Sequence, residues 1–287
     1  VRVEDLLRGI IVLSGNDACV VIAESLSPDG TEYGFARLMT QRAQQLGMTN
    51  STFINASGWP QTGHVMSMRD LALLANRLIT DFPEFYPLFA ETEFPFDNRV
   101  PSNRLNRNPV LTMGIGADGL KTGHTQEAGY GLVGSAKQGD RRVIFVITGL
   151  DTAAERAQES QSIVNWAFRQ FAMREVGKAG DQFAQADVWM GAESTVGLVA
   201  PEDLNVLMPA LSTGALDAEV VFNGPVAAPV SKGDQLAELV FTPEGLPEKR
   251  VPLVADRDLA AGGFFSRMTT TVQVLVARFL AVPEVQT

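Results

Sequence analysis

The periodicity of the apolar residues changes twice along this chain, and this change constrains the possible fold more than any other feature. Near the start, Val3, Leu6, Leu7 and Ile10 follow the spacing i, i+3, i+4 and i+7, which is typical of a helix with one apolar face. From residue 129 two short apolar runs take over, the second of them β-branched, and after about residue 171 further short runs are separated by Gly, Pro, Asn and Asp. Helices, then a strand hairpin and a closing helix, indicate a mixed α/β or α+β domain, and the many short strands after it indicate a small all-β domain.

Short polar segments mark where the early helices begin and end. We expect Asn16 or Asp17 to cap a second helix, which carries the apolar run from Ala18 to Ala23. Gly47 suits the end of a third helix, and Ser67 is placed to cap a fourth. The first 80 residues are therefore predicted to be mainly helical.

A hairpin and a further helix follow. The runs Gly129 to Ala136 and Arg142 to Leu150 flank a plausible turn, and together they predict two antiparallel strands. Thr152 with Glu155 three residues later predicts a capping box. The helix that it opens is expected to carry Ile163, Val164, Trp166, Phe168 and Phe171, with Trp166 and Phe168 in the core.

These changes of pattern predict three parts: residues 1–172, a β-rich domain over 173–260, and a tail over 261–287. The tail contains an amphipathic helical pattern from Gly262 to Leu280, with Phe264 and Phe265 at its start. Such a helix could dock onto the protein itself or lie in a membrane interface. No run of about 20 apolar residues, which a transmembrane helix needs, occurs in the sequence.

Composition excludes several classes of function. A net charge of −10 opposes binding to the phosphates of nucleic acids. The single cysteine, Cys19, excludes a disulfide framework and a thiolate zinc site. With only two histidines, His64 and His124, a multi-histidine metal site is not expected either, and we predict neither metal nor cofactor.

Two short motifs carry the candidate chemistry. Ser14-Gly15-Asn16 lies in the break between the first two helices, where polar side chains can line a cleft. Lys121-Thr122-Gly123, just before the hairpin, combines a cation, a hydroxyl and a glycine that allows a substrate backbone to approach closely. Either tripeptide alone is weak evidence, but their order, with helices between them and a hairpin after, is more specific.

With these motifs, the chain resembles the low-molecular-mass penicillin-binding proteins, which are serine-type D-alanyl-D-alanine carboxypeptidases. The likeness rests on Ser14 to Cys19, on Asn103 to Asn108, and on Asp118 to Thr125, and it continues through Ala128-Gly129-Tyr130. It implies a β-lactamase/transpeptidase-like domain, an antiparallel sheet with helices, followed by the all-β domain and the amphipathic tail. The implied reaction removes the last D-alanine of peptidoglycan stem pentapeptides through an acyl-enzyme.

One element of the family pattern does not occur in this sequence. The family's nucleophile lies in Ser-x-x-Lys, upstream of Ser-x-Asn, and no serine here has lysine three residues later. We expect that motif to lie before Val1, with the N-terminal part of the domain missing from this chain. Its serine would be the nucleophile and its lysine the base.

The resemblance implies catalytic roles for three residues. Ser14 would pass a proton to the leaving amine, and Asn16 would hydrogen-bond a substrate amide. Lys121 would supply positive potential and orient Ser14.

The resemblance also implies a set of binding residues beside them. Thr122 would bind the substrate's terminal carboxylate, next to Gly123, and the backbone N–H of His124 would form part of the oxyanion hole. Arg156 would be either a second carboxylate-binding cation or a solvated residue on a helix surface.

Two alternatives stay open besides the carboxypeptidase. A non-catalytic peptidoglycan-binding scaffold would keep the pocket without the nucleophile. A β-lactamase of the same superfamily would need a base for deacylation, and Glu84, Glu91 and Glu93 lie in the relevant region without a recognisable loop motif. The partners implied by the leading hypothesis are stem peptides, β-lactam antibiotics and, through the tail, a membrane surface. The implied location is the periplasm, peripherally attached to the outer face of the cytoplasmic membrane.

Overall fold

The computed structural model describes residues 1–96, 100–212, 217–243 and 245–263, and the chain divides into two compact units, Val1–Phe168 and Arg169–Thr287. The helices are α1 (Val3–Leu13), α2 (Asn16–Leu26), α3 (Glu32–Gln45), α4 (Met68–Asp81) and α5 (Ala153–Gln170), with short 3-10 helices at Tyr86–Ala90 and Pro109–Thr112. The strands are β1 (Ala117–Thr125), β2 (Gly129–Gln138), β3 (Arg141–Leu150), β4 (Phe171–Gly177), β5 (Gln182–Trp189), β6 (Thr195–Val199), β7 (Leu204–Pro209), β8 (Ala218–Val221), β9 (Val226–Ala227), β10 (Gln235–Phe241) and β11 (Lys249–Ala255).

The four early helices form where the apolar periodicity predicts them, and two of their caps are confirmed. The Ser67 hydroxyl accepts a hydrogen bond from the Asp70 backbone N–H at 3.1 Å at the start of α4. Gly47 follows the end of α3 with φ +89°, a left-handed conformation that glycine adopts without a Cβ clash. The expected cap of α2 is wrong, because Gly15 is its N-cap and Asn16 already belongs to the helix.

Strands β1, β2 and β3 form an antiparallel sheet in that order, and β2 and β3 confirm the predicted hairpin. Successive side chains of a strand point to opposite faces, so this sheet has two apolar faces. One face packs with α5 through Leu132, Phe145 and Val164, and the other packs with α4 through Leu120 and Ala75. Helices on both sides therefore hold the sheet that carries the Lys-Thr-Gly sequence.

The Thr152 cap of α5 is confirmed, but the Glu155 carboxylate binds the N–H one residue before the cap, and two expectations about this helix are wrong. The Glu155 backbone N–H donates to the Thr152 hydroxyl at 3.0 Å, and the Glu155 carboxylate accepts from the Asp151 N–H at 2.9 Å. The helix ends at Gln170, and Phe171 begins β4 instead. Trp166 is 56 % exposed and does not belong to the core.

After the end of α5, the described residues of the second unit form β-strands and loops, as predicted. Its six-stranded sheet has the order β8-β10-β11-β6-β5-β9, and β4 pairs with β7 in a separate two-stranded sheet. The core is built from alternating apolar residues of these strands, among them Leu198, Val206, Leu239, Phe241 and Leu253. The α+β architecture with a small all-β domain is thus confirmed, while the predicted boundaries at residues 172 and 260 stay predictions.

The predicted amphipathic helix of the tail lies outside the described residues from Phe264 onward. Within the described ranges, no helix is both long and apolar enough to cross a bilayer.

Candidate active site

Ser14 lies at the sharp break between α1 and α2. Its backbone is left-handed, with φ 59°, which is unusual for a residue with a side chain. The Gly15 N–H donates to the Gly9 carbonyl at 3.0 Å, and this bond closes the end of α1. A Cβ on Gly15 would lie 3.3 Å from that same carbonyl, so a glycine suits this close approach. The turn fixes the point at which the Ser14 side chain leaves the backbone.

Lys121 extends from β1 to this serine. Its ammonium donates hydrogen bonds to the Ser14 hydroxyl and, at 2.9 Å, to the Thr122 carbonyl. Burial, followed by repulsion from Arg107 and then Arg156, lowers the pKa of Lys121 from 10.5 to about 8, against the opposing effect of Cys19. The predicted pairing of the two motifs is therefore present as a direct contact.

A cleft of about 1020 Å³ joins the predicted site residues. Its lining includes all seven of them: Ser14, Asn16, Lys121, Thr122, Gly123, His124 and Arg156. A Cβ on Gly123 would meet no atom within 4 Å, so the space above this position of β1 is open to a ligand. The two motifs thus share one cavity.

Two arginines give the cleft positive charge. Arg156 is only 7 % exposed, so it is not the solvated helix-surface residue that one interpretation of the sequence allowed. Its Nη2 donates to the Arg107 carbonyl at 3.2 Å, and Arg107 also lines the cleft. Burial lowers the pKa of Arg156, since a charge is less stable away from water.

The sequence did not indicate a role for Arg107, although this residue lies in the segment Asn103 to Asn108, which contributes to the family resemblance. A local signal exists, because Asn108 caps the 3-10 helix Pro109–Thr112 by accepting from the Val110 N–H at 3.3 Å. That cap fixes the chain next to Arg107 but does not show which way the arginine points. The direction depends on how this segment packs beside β1, which spacing alone does not give.

A polar cluster anchors the start of β1. Asp118 accepts hydrogen bonds from Arg142 at 2.7 Å and from the Tyr86 hydroxyl at 2.8 Å. The same arginine donates to the buried Ser135 hydroxyl at 2.6 Å. Desolvation, with a smaller contribution from Asp118, raises the pKa of Tyr86, so its hydroxyl stays a donor. The cluster joins β1, β2, β3 and the 3-10 helix three residues before Lys121.

A second cavity of about 440 Å³ adjoins the cleft, and both are lined by Lys121 to Thr125. Its walls are mostly apolar, with Met68, Leu71, Phe89 and Leu120 among them. Cys19 lines the larger cleft and is half-buried; burial raises the pKa of its thiol, against the effect of the Lys121 charge. Among the described residues, no group of three or more His, Cys, Asp or Glu could hold a metal ion.

The arrangement can perform two chemical tasks. A hydroxyl in contact with an amine of lowered pKa can relay a proton to or from a reacting group. Two guanidinium groups and a threonine hydroxyl on the same wall can bind a carboxylate.

Comparisons with known proteins agree with this chemistry. The sequence profile of the D-alanyl-D-alanine carboxypeptidase family matches residues 1–152, and that of the C-terminal domain of penicillin-binding protein 5 matches residues 171–261. D-alanyl-D-alanine carboxypeptidase DacC of Escherichia coli is 38 % identical over 93 % of this chain and 66 % of its own length. The chain spans about two thirds of the length of the curated relatives that it matches.

Solved structures show the same similarity. Penicillin-binding protein 5 of Haemophilus influenzae superposes with a TM-score of 0.77 at 32 % identity, covering 91 % of this chain and 75 % of that one. Penicillin-binding protein D2 of Listeria monocytogenes, in its ampicillin-bound form, superposes with a TM-score of 0.52 at 33 % identity, covering 58 % of this chain and 67 % of that one.

Proposed function

Because the chain belongs to the D-alanyl-D-alanine carboxypeptidase family, whose members are serine hydrolases, we propose that its cleft binds the D-alanyl-D-alanine end of peptidoglycan stem peptides for removal of the last residue. The observation that carries this proposal is the contact of the Lys121 ammonium with the Ser14 hydroxyl on the wall of a cationic cleft. An acyl-transfer site needs a proton relay beside a place for the substrate's charged end, and this cleft has both.

The substrate's terminal carboxylate is assigned to the cationic wall. Thr122 would donate its hydroxyl, and Arg156 and Arg107 would provide charge. Arg156 suits this role because its guanidinium is buried, where an ionic hydrogen bond is stronger than in water.

Proton transfer is assigned to Ser14 and Lys121. With a pKa of about 8, roughly one Lys121 side chain in ten is neutral at pH 7, far more than for an ordinary lysine. The Ser14 hydroxyl would pass its proton to the leaving amine and be reprotonated through Lys121. Asn16, exposed at the start of α2 and on the cleft, would hydrogen-bond the substrate amide.

The carbonyl that reacts is assigned to the open space above Gly123. β1 is an edge strand of its sheet, and an edge strand has backbone groups on its outer side that no neighbouring strand uses. The backbone N–H of His124 would serve as an oxyanion donor there, as the family resemblance implies. A β-lactam would occupy the same space, with its carboxylate at Thr122 and Arg156.

The reaction also needs a nucleophile, and no Ser-x-x-Lys occurs in the printed sequence. The test therefore compares protein produced from its entire reading frame with a polypeptide of residues 1–287. Each is incubated with fluorescent penicillin and with an acyl-D-alanyl-D-alanine peptide, and adducts are identified by mass spectrometry.

We expect the protein from the entire reading frame to form a covalent adduct and to release D-alanine. Lys121→Ala should slow adduct formation by about 10²- to 10³-fold, since a charge at the reacting centre is lost. Lys137→Ala, which removes an exposed lysine at the end of β2, is the matched control and should leave the rate unchanged. If the wild type formed no adduct and released no D-alanine, the proposal would be overturned.

A second candidate, left open by the sequence, is a non-catalytic peptidoglycan-binding protein with the same cleft. Such a protein would bind the peptide without forming an adduct. Equilibrium binding of the same peptide, measured by calorimetry on the protein from the entire reading frame, separates the two candidates.

We further propose that the protein acts in the periplasm, where its substrate is, and that the tail attaches it to the outer face of the cytoplasmic membrane. The amphipathic pattern from Gly262 to Leu280 supports this assignment. Deletion of Gly262 onward should release the protein from liposomes containing anionic lipid. Liposome binding that persists after the deletion would contradict the attachment.

A further inference from the structure

The ring of Tyr130 contacts two residues that line the cleft. Its centroid is 3.9 Å from that of the His124 imidazole, at an interplanar angle of 34°. The guanidinium carbon of Arg156 lies 5.5 Å from the centroid of the same ring. The strand register explains the first contact, because His124 of β1 pairs directly with Tyr130 of β2.

The guanidinium of Arg156 makes few polar contacts with the described residues. Its contacts within the described residues include one hydrogen bond to a backbone carbonyl, that of Arg107, whose own guanidinium is a like charge. The Nε is buried and donates to no described atom. The face of an aromatic ring attracts a cation, and this attraction grows where water is excluded, as it is around Arg156. The ring of Tyr130 therefore attracts the charge of Arg156.

We propose that Tyr130 is a positioning residue that holds the guanidinium of Arg156 in the orientation that receives a substrate carboxylate. This inference rests on the proposed function for the meaning of that carboxylate. It adds a determinant of specificity: the ring makes the site selective for peptides that end in a free carboxylate. The part of Tyr130 that matters is the ring face, not the hydroxyl.

The test uses Tyr130→Leu and Tyr130→Phe in protein from the entire reading frame. Each variant is assayed with an acyl-D-alanyl-D-alanine peptide ending in a carboxylate and with the same peptide ending in a carboxamide. Tyr130→Leu should lower kcat/KM for the carboxylate peptide by about tenfold, mainly through KM. A cation–π contact at a desolvated site stabilises the cation by a free energy that corresponds to about a tenfold change in affinity. The carboxamide peptide should change by less than about twofold, and Tyr130→Phe should restore the wild-type preference.

A matched control exists on α3. The exposed Tyr33 also carries an arginine over its ring, with the Arg37 guanidinium carbon 5.3 Å from the centroid, and neither residue lines the cleft. Tyr33→Leu should change neither substrate's kinetics. Equal losses with both peptides in Tyr130→Leu would show a merely structural role and overturn the inference, as would a Tyr130→Phe variant that behaves like Tyr130→Leu.

A second measurement does not depend on activity, and so separates failure of the inference from failure of the proposed function. In ¹⁵N-labelled protein, the ring current of Tyr130 should shift the Nε–H resonance of Arg156, which is assigned by its loss in Arg156→Lys. That resonance should move in Tyr130→Leu and stay in place in Tyr130→Phe. A wild type without adduct or D-alanine release contradicts the proposed function alone, whereas a resonance unmoved in Tyr130→Leu overturns the positioning role.

Discussion

The amine of Lys121 makes a quantitative prediction, because its pKa is lowered from 10.5 to about 8. This difference corresponds to roughly 3 kcal/mol, the free energy by which the folded protein disfavours the ammonium form relative to the unfolded chain. Burial is the largest cause, and Arg107 and then Arg156 add repulsion. Replacement by an uncharged side chain of similar length, Lys121→Met, removes the effect.

The sign follows from proton linkage. Below about pH 8 the amine is protonated in both states, so the wild type bears the full cost. As the pH rises from about 8 towards 10.5, the folded protein loses this proton while the unfolded chain still holds it, and the cost declines. Relative to Lys121→Met, the wild type should therefore gain about 2 kcal/mol of unfolding free energy between about pH 7 and pH 9.5.

The assay is urea unfolding of residues 1–287, with tryptophan fluorescence as the probe of unfolding. Replacing Trp189 with Phe in both proteins restricts the signal to Trp59 and Trp166 of the first unit. The pKa of Lys121 can also be measured directly by ¹³C-lysine NMR, which gives few resonances because the chain has five lysines. The resonance that is lost in Lys121→Met should titrate with a midpoint near 8. A midpoint near 10.5, or a stability difference independent of pH, would refute the reasoning.

Three further predictions concern the substrate space, the anchor of β1 and a helix cap. Gly123→Val should slow penicillin acylation by about 10²-fold, because the valine side chain enters the open space of the cleft. Calorimetry should show an unchanged unfolding temperature. An acylation rate equal to that of the wild type would show that no ligand uses this space. Arg142→Met should lower the unfolding free energy by about 1–3 kcal/mol in a urea titration, since Asp118 and Ser135 lose a charged donor, and a loss below about 0.5 kcal/mol would contradict the anchor. Ser67→Ala should lower the unfolding free energy by about 1 kcal/mol in the same titration, whereas Ser67→Asp, which can still cap the helix, should keep most of the wild-type stability. Equal losses in the two variants would exclude capping as the cause.

Much of the first unit could be predicted because its signals are local. Ser67 caps α4 through a residue three positions away, and the strands of the hairpin are joined by a short turn. Two local predictions failed at element ends, where the α2 cap is Gly15 and Phe171 begins a strand. At Phe171 the apolar pattern is the same for the end of a helix and the start of a strand, and the choice depends on pairing with β7.

The second unit shows the limit of pattern more clearly. The apolar runs in this part of the sequence indicate β5, β6, β7, β8 and β10, but not β4, β9 or β11, although β11 lies at the centre of the six-stranded sheet. Its run contains Pro252, and proline argues against a central strand when only the sequence is considered. Pairing between strands distant in sequence supplies the stability that the local pattern does not show.

For the site, motif order was enough to place Ser14 and Lys121 in one cleft. It did not show that Arg107 lines that cleft, because its direction depends on how the segment before β1 packs. The exposure of Arg156 was likewise undecided by helix periodicity, and the structure buries it against the ring of Tyr130. Residue types and spacing thus identify the reacting pair, whereas tertiary packing identifies the residues that tune it.

The central claim is that the Ser14 hydroxyl and the Lys121 amine act as one unit in acyl transfer. A double-mutant cycle on the penicillin acylation rate, with Ser14→Ala, Lys121→Ala and the combined variant in protein from the entire reading frame, tests it most directly. Groups that act as a unit are strongly non-additive, so the combined variant should lose little more than the worse single variant. Losses that multiply would mean that the two side chains act independently, and would contradict the account.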